Sequence, residues 1–217
     1  MQPRNPRPGR YYTEPGTPPT TAIVGSPWSA TATRNGERLV VSTWHDGSAF
    51  IDVYDGGTGE HLAGPQEGPL WSAVSLDGTV VGARGGEITE YDLKTLKPLG
   101  TFPGARGEVN TLQFSADGAV LLAGANDQTV SIYDVATRRR IGDVIPAFSP
   151  HIGPRGLRPD GMAVAVNQRA GVVIWDIDPD HLAEAACVLA GRNLTQTEWS
   201  TYMSAFGDYL ATCPQYG

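Results

Sequence analysis

The chain has 217 residues, 40% of them apolar and 18% charged, which is the balance of a globular protein long enough to bury a core. A net charge of −7 speaks against a general nucleic-acid binder, which is basic as a rule, and against electrostatic docking on anionic lipid. No apolar run reaches the roughly 18 residues that a membrane helix needs.

Residues 1–20, MQPRNPRPGRYYTEPGTPPT, contain arginines but no apolar segment of the kind that defines a secretory signal. Their Pro, Gly, Thr and Arg content predicts a disordered lead-in, and a cytoplasmic location is the default expectation. Thr21-Ala22-Ile23-Val24 then reads as an incoming outer strand.

From residue 21 to residue 177 the chain is organised by an internal repeat. Four segments share a turn with Gly, an apolar strand, a second turn, and a strand ending in aromatic-Asp. They are RNGERLVVSTWHDGSAFIDVYD, SLDGTVVGARGGEITEYD, SADGAVLLAGANDQTVSIYD and RPDGMAVAVNQRAGVVIWD. The first-turn glycines Gly36, Gly78, Gly118 and Gly161 are 42, 40 and 43 residues apart, and the closing aspartates Asp55, Asp92, Asp134 and Asp176 are 37, 42 and 42 apart. Two independent markers thus hold nearly the same period.

Each unit makes physical sense as strands. Asp-Gly or Asn-Gly supplies the positive φ of a tight hairpin turn. Runs such as Val120-Leu121-Leu122-Ala123 suit a strand covered on both faces. The third strand, as in Val130-Ser131-Ile132-Tyr133, is β-branched and aromatic. The aspartates Asp46, Asp92, Asp127, Asp134 and Asp176 read as turn-capping groups, and the aromatics Tyr54, Tyr91, Tyr133 and Trp175 as packing between sheets.

The period and the aromatic-Asp endings resemble the WD-repeat family of β-propellers, whose blades are four-stranded sheets. The third unit carries the resemblance best, with Asp127-Gln128-Thr129 seven residues ahead of Asp134. The fourth contains the literal dipeptide Trp175-Asp176. No unit has the Gly-His pair of the family, so its His-centred hydrogen-bond network is not expected here. The resemblance implies an all-β fold of about four blades. Four units leave two readings open, a small closed ring completed by residues 21–24 or part of a larger ring, and the larger ring is the expectation because the family rarely closes with so few blades.

From Asp178 the pattern changes, and residues 178–217 are expected to form a helical cap. Asp178-Pro179 is a cap followed by a first-turn proline. Leu182, Ala185, Ala186 and Leu189 form one apolar stripe, and Gly191 ends the helix. Thr195-Gln196-Thr197-Glu198 is a capping box, flanked by Leu194 and Trp199 as a hydrophobic staple. The order AC–LAGRNLT–EW–Y, followed by Ala211-Thr212-Cys213-Pro214, resembles the tail that follows the propeller in bacterial multidomain signalling proteins with an upstream STAND-type NTPase. Cys187 and Cys213 have three readings: a pair of buried thiols, a disulfide tying the tail to the first helix, or a redox-active pair.

There is no GxxxxGK[ST], HExxH or GxSxG. Trp44-His45-Asp46 is the one foothold for a channel site. Arg138-Arg139-Arg140 reads as a solvated hairpin loop or as a contact for acidic groups. The resemblance therefore implies a non-enzymatic, cofactor-free module that binds protein partners, as a sensor or scaffold in bacterial signalling. It implies no direct contact with nucleic acid or membrane, and an NTPase domain upstream in a longer parent protein. The alternatives are a propeller enzyme or small-ligand binder using the central channel, or a truncated fragment without independent function.

Overall fold

A computed structural model of the chain describes residues 26–33, 35–75, 78–148 and 155–216; the lead-in and the strand expected at Thr21–Val24 lie outside these residues. The chain divides into two compact units, Met1–Ile174 and Trp175–Gly217.

The first unit is a succession of antiparallel sheets whose strands neighbour one another in chain order. The first sheet comprises β1 (Ser26–Ala32), β2 (Arg38–His45), β3 (Ser48–Asp55) and β4 (His61–Glu67). The second comprises β5 (Trp71–Val74), β6 (Val80–Arg84), β7 (Glu87–Tyr91) and β8 (Pro98–Phe102). The third contains β9 (Val109–Phe114), β10 (Val120–Ala125) and β11 (Thr129–Asp134), with two short outer pieces, β12 (Arg139–Arg140) and β13 (Ile145–Pro146), both paired to β11. The fourth has three strands, β14 (Arg155–Leu157), β15 (Ala163–Gln168) and β16 (Gly171–Asp176). These are propeller blades, and a helical part follows them.

One turn recurs between the first and second strand of each blade. Gly36, Gly78, Gly118 and Gly161 have φ of 71°, 90°, 75° and 77°. The N–H of each donates to the carbonyl three residues earlier, on Thr33, Ser75, Ser115 and Arg158 respectively. A side chain with Cβ is strained at that φ, which explains why glycine marks the repeat.

The first strands of successive blades, β1, β5, β9 and β14, lie each against the next. Ser42 and Ser72 link β2 to β5 at 3.1 Å, and the Gln113 amide of β9 both donates to Leu157 O (3.1 Å) and accepts from Leu157 N–H (3.0 Å) on β14. Between blades the cores are apolar. Val40, Ile51 and Val53 pack with Val80, Tyr91 and Leu96, while Ile88 and Phe102 pack with Val109, Leu121 and Tyr133. Burying each such side chain contributes about 1.5–3 kcal/mol, so the inter-blade seams hold the unit together.

The second unit contains α1 (Pro179–Ala190) and α2 (Gln196–Tyr202), followed by short 3₁₀ turns at Ser204–Phe206 and Pro214–Tyr216. Asp178 caps α1 by accepting from Asp180 N–H, and Gly191 ends it with φ 64°. Thr195 and Glu198 form the reciprocal capping box of α2. The expected apolar stripe of α1 is not its inward side: Leu182 and Leu189 are exposed, and Cys187 is the buried residue of that helix. At 100° per residue Cys187 stands on the far side from that stripe, and its covalent link decides which side turns inward.

Candidate interaction surface

The aspartates that close the third strands are held in one arrangement. Asp55 Oδ1 accepts from the N–H of Gly57 (3.0 Å) and of Thr58 (2.9 Å) and from Thr58 Oγ1 (3.0 Å). Asp92 accepts in the same way from Lys94, Thr95 N–H and Thr95 Oγ1, and Asp134 from Thr137 N–H and Oγ1. Hydrogen bonds from these threonines hold all three carboxyls below the ordinary aspartate range. They are ionised acceptors whose lone pairs are committed to the turns, so they lock loops and make poor proton acceptors.

Asp127 has a parallel role at the β10–β11 turn, accepting from Thr129 Oγ1 (2.6 Å) and N–H (3.2 Å). Asp176 stands at the end of β16 and accepts from Asp178 N–H (3.0 Å), with His181 Nδ1 at 2.8 Å from its other oxygen. That carboxylate raises the His181 pKa. Asp46 differs: it sits in the β2–β3 turn at φ 51° with its side chain in solvent.

The closing aromatics divide. Tyr133 is fully buried against Phe102, and its hydroxyl donates to Pro103 O at 2.7 Å across the seam between blades two and three. Tyr91 is buried between blades one and two. Tyr54 instead leans on His61, whose Nε2 lies 2.8 Å from Asp52 Oδ1, and Trp175 is 39% exposed. Trp44-His45-Asp46 forms the end of a hairpin: His45 stacks on Phe50 at 4.2 Å and Trp44 is 44% exposed. His45 Nδ1 lies 3.6 Å from Asp46 Oδ2, on an exposed hairpin end.

Among the described residues, clefts lie between blades one and two and between blades two and three, at opposite ends of the strands. One, of about 460 Å³, opens between blades one and two on the side of the Asp-locked turns, lined by Asn35, Glu37, Arg38, Leu62, Leu93 and Lys94. Its arginine is occupied, with Arg38 Nη1 at 3.1 Å from Asp55 Oδ2 and 2.8 Å from Glu37 O.

The other, of about 570 Å³, opens between blades two and three and is lined by Ala105, Arg106, Asp127, Thr129, Arg140 and Asp143. Here the acids are engaged, Asp127 by Thr129 and Asp143 Oδ1 by Val144 N–H at 2.8 Å. Among the described residues neither Arg106 nor Arg140 has a carboxylate within ion-pair distance. This cleft thus presents two guanidinium groups with donors to spare. The run Arg138-Arg139-Arg140 separates three fates: Arg138 pairs with Glu90 of blade two, Arg139 is exposed, and Arg140 lines the cleft.

The blade pattern has a counterpart among known families. Residues 96–134 match the family described as WD domain, G-beta repeat. That span runs from the approach to β8 through β11, so the matched repeat joins the outer strand of blade two to three strands of blade three. Two curated proteins are also similar. Eukaryotic translation initiation factor 3 subunit I of Culex quinquefasciatus is 39% identical over 66 residues, 30% of this chain and 20% of its own length. Periodic tryptophan protein 2 homolog of Schizosaccharomyces pombe (strain 972 / ATCC 24843) is 32% identical over 92 residues, 42% of this chain and 11% of its own length. The chain spans a fifth or less of either relative.

Among the described residues no helix is long and apolar enough to cross a membrane, and no group of three or more His, Cys, Asp or Glu side chains could hold a metal ion. In the second unit Cys187 and Cys213 are joined as a disulfide, with Cα atoms 5.4 Å apart and a sequence separation of 26. Trp199 is buried there, its Nε1 donating to Gly207 O at 3.0 Å and its ring meeting Tyr209 edge-on.

Proposed function

We propose that this chain is a non-enzymatic protein–protein interaction module, a scaffold that presents fixed loops and inter-blade clefts to a partner. The observation that carries this reading is the cleft between blades two and three, where Arg106 and Arg140 stand without a carboxylate partner on a frame of buried strands. Arginine in a fixed cleft is a common anchor of protein interfaces, because its planar fork meets carboxylates in two parallel hydrogen bonds. An acidic side chain of a partner is the group this cleft fits.

The commitment of the repeated aspartates to turn locking supports a structural rather than a catalytic use of the chain's acids. The WD-type match supports protein binding as the class of function, and one relative is by name a subunit of an initiation factor. The tail sequence supports a narrower setting. Its likeness to the tails of bacterial signalling proteins supports our reading of the module as a cytoplasmic sensor part of a larger protein with an upstream NTPase.

The test is affinity capture with the full chain, followed by direct titration of the purified partner against wild type and the double variant Arg106→Ala/Arg140→Ala. The variant is expected to weaken binding tenfold or more, with greater loss at low salt than at high salt. Equal affinity for both proteins would remove the cleft as the docking site.

A further inference from the structure

The cleft between blades two and three carries both signs of charge. Arg106 and Arg140 line it, and so do Asp127 and Asp143. Among the described residues none of the four makes an ion pair. Each acid also keeps an oxygen in reserve. Asp127 Oδ1 accepts from Thr129 and Asp143 Oδ1 from Val144 N–H, while neither Oδ2 meets a donor among the described residues.

The backbone holds these opposite charges apart. Arg106 stands on the link from β8 to β9, where Ala105 N–H donates to Gly86 O (2.9 Å) and Val109 N–H to Gly85 O (2.7 Å). On its other side Glu108 N–H donates to Asn126 Oδ1 at 2.8 Å, and the Tyr133 hydroxyl holds Pro103 O. The link is wedged tightly: a Cβ on Gly86 would fall 2.3 Å from Ala105 O, and one on Gly107 would fall 2.7 Å from Asp127 N. Arg140 lies opposite Tyr133 on β12, and Asp143 lies on the link from β12 to β13, both of which pair with β11. The turn that bears Asp127 is clasped where Ala147 N–H donates to Gln128 O (2.7 Å). All four side chains thus grow from anchored backbone, and a partner meets them without first ordering a loop.

Given that this cleft is the docking site, we propose that the partner segment it takes carries an acidic and a basic side chain close together, and not a run of acids. Two guanidinium groups and two carboxylates leave the cleft without net charge. A run of acids brought to the arginines would also meet Asp127 and Asp143, and like charges set side by side are penalised. A mixed segment satisfies both signs at once: its carboxylate meets the arginine forks, and its cation meets the Oδ2 atoms that the turns leave free.

Three octapeptides serve as probes of the full chain: a repeat of Glu-Glu-Lys-Lys, which puts both signs on each face of an extended segment, and homopolymers of Glu and of Lys. Binding is read from NMR shifts of the Arg106 and Arg140 side-chain Nε–H and the Asp127 and Asp143 backbone N–H groups. The mixed peptide is expected to bind about threefold more tightly than either homopolymer. Asp143→Asn keeps an oxygen for Val144 N–H but removes the charge, so it is expected to weaken the mixed peptide and strengthen the Glu peptide, each about threefold. Arg106→Ala/Arg140→Ala is expected to abolish binding of the Glu peptide and to weaken the mixed one.

A Glu peptide that binds the wild type as tightly as the mixed one, or an Asp143→Asn variant with unchanged preference, would overturn this inference and leave the docking reading standing. Failure of all three peptides to shift the cleft signals would overturn it as well. The docking reading falls on a different result, equal affinity of the captured partner for wild type and the double arginine variant.

Discussion

Arg138 of blade three reaches across to blade two, its Nε donating to Glu90 Oε2 at 2.6 Å, with the Glu90 side chain only 12% exposed and the Arg138 side chain 37% exposed. The contact passes over Gly100, where a Cβ would fall 2.8 Å from that Nε. It ties two blades through charge at a place where their apolar seam has ended.

Arg138→Ala should therefore cost more than Glu90→Ala. Removing the arginine strands an inward carboxylate and is expected to destabilise by about 1–2 kcal/mol; removing Glu90 leaves a guanidinium that water still reaches, for about 0–1 kcal/mol. Alanine keeps the positive φ of 54° at this position, so the comparison reads the side chain and not the backbone. Urea unfolding of the two single variants and the double variant checks it. Equal costs for the two single variants would show that Glu90 is not stranded.

The seam between blades two and three also rests on Tyr133. Tyr133→Phe keeps the ring against Phe102 but leaves the Pro103 carbonyl without this donor, a loss of about 1 kcal/mol. For a chain of this size that corresponds to a fall in melting temperature of about 2–4 °C. Tyr133→Ala also opens a cavity and is expected to cost about 3–5 kcal/mol. Calorimetry of the pair separates the hydrogen bond from the packing, and similar shifts for both would contradict the burial described here.

The Cys187–Cys213 link joins positions 26 apart and closes a loop that runs from the last turn of α1 through α2. Chain-entropy reasoning assigns such a loop about 3 kcal/mol of stabilisation. Reduction, or the variant Cys187→Ser, is expected to lower the helical signal and to expose Trp199, read by circular dichroism and by a red shift of tryptophan emission. Two titratable thiols in the oxidised, unfolded protein would show that the link does not form.

Acid acts on the second unit through Glu198. Bidentate contact with Arg192 at 2.7 Å, with Thr195 N–H and Thr195 Oγ1 also donating, lowers its pKa from 4.5 to about 2. A depressed carboxylate contributes stability that is fully present above its unfolded value and is lost as pH falls through the folded value. Helix α2 is thus expected to loosen between about pH 4.5 and pH 2. Glu198→Gln should flatten that transition, and carboxyl NMR shifts followed against pH give the titration directly. The histidine at the start of α1 behaves oppositely. His181 is raised by Asp176, so its contribution is full below about 6.5 and fades as pH rises through the folded value.

The sequence by itself determined the blades. A glycine obliged to take positive φ and an aspartate obliged to accept from a threonine three residues on recur at a fixed period, because both are local demands of a turn. The same locality made the helix caps readable: Asp178, Gly191 and the Thr195–Glu198 box act within four residues of themselves.

Relations across blades depended on tertiary structure. Nothing in Arg138-Arg139-Arg140 distinguishes the arginine that pairs with Glu90 from the one that lines a cleft, since side-chain alternation and the neighbouring blade decide it. Nor does an apolar stripe on α1 reveal that Cys187, on the other side, is the residue turned inward. Tyr54 and Tyr133 end equivalent strands in near-identical words, yet one leans on a histidine of its own sheet and the other seals a seam. Local rules fix the conformation of a turn within a few residues, but burial is a property of whatever surface packs against it, and that surface comes from elsewhere in the chain.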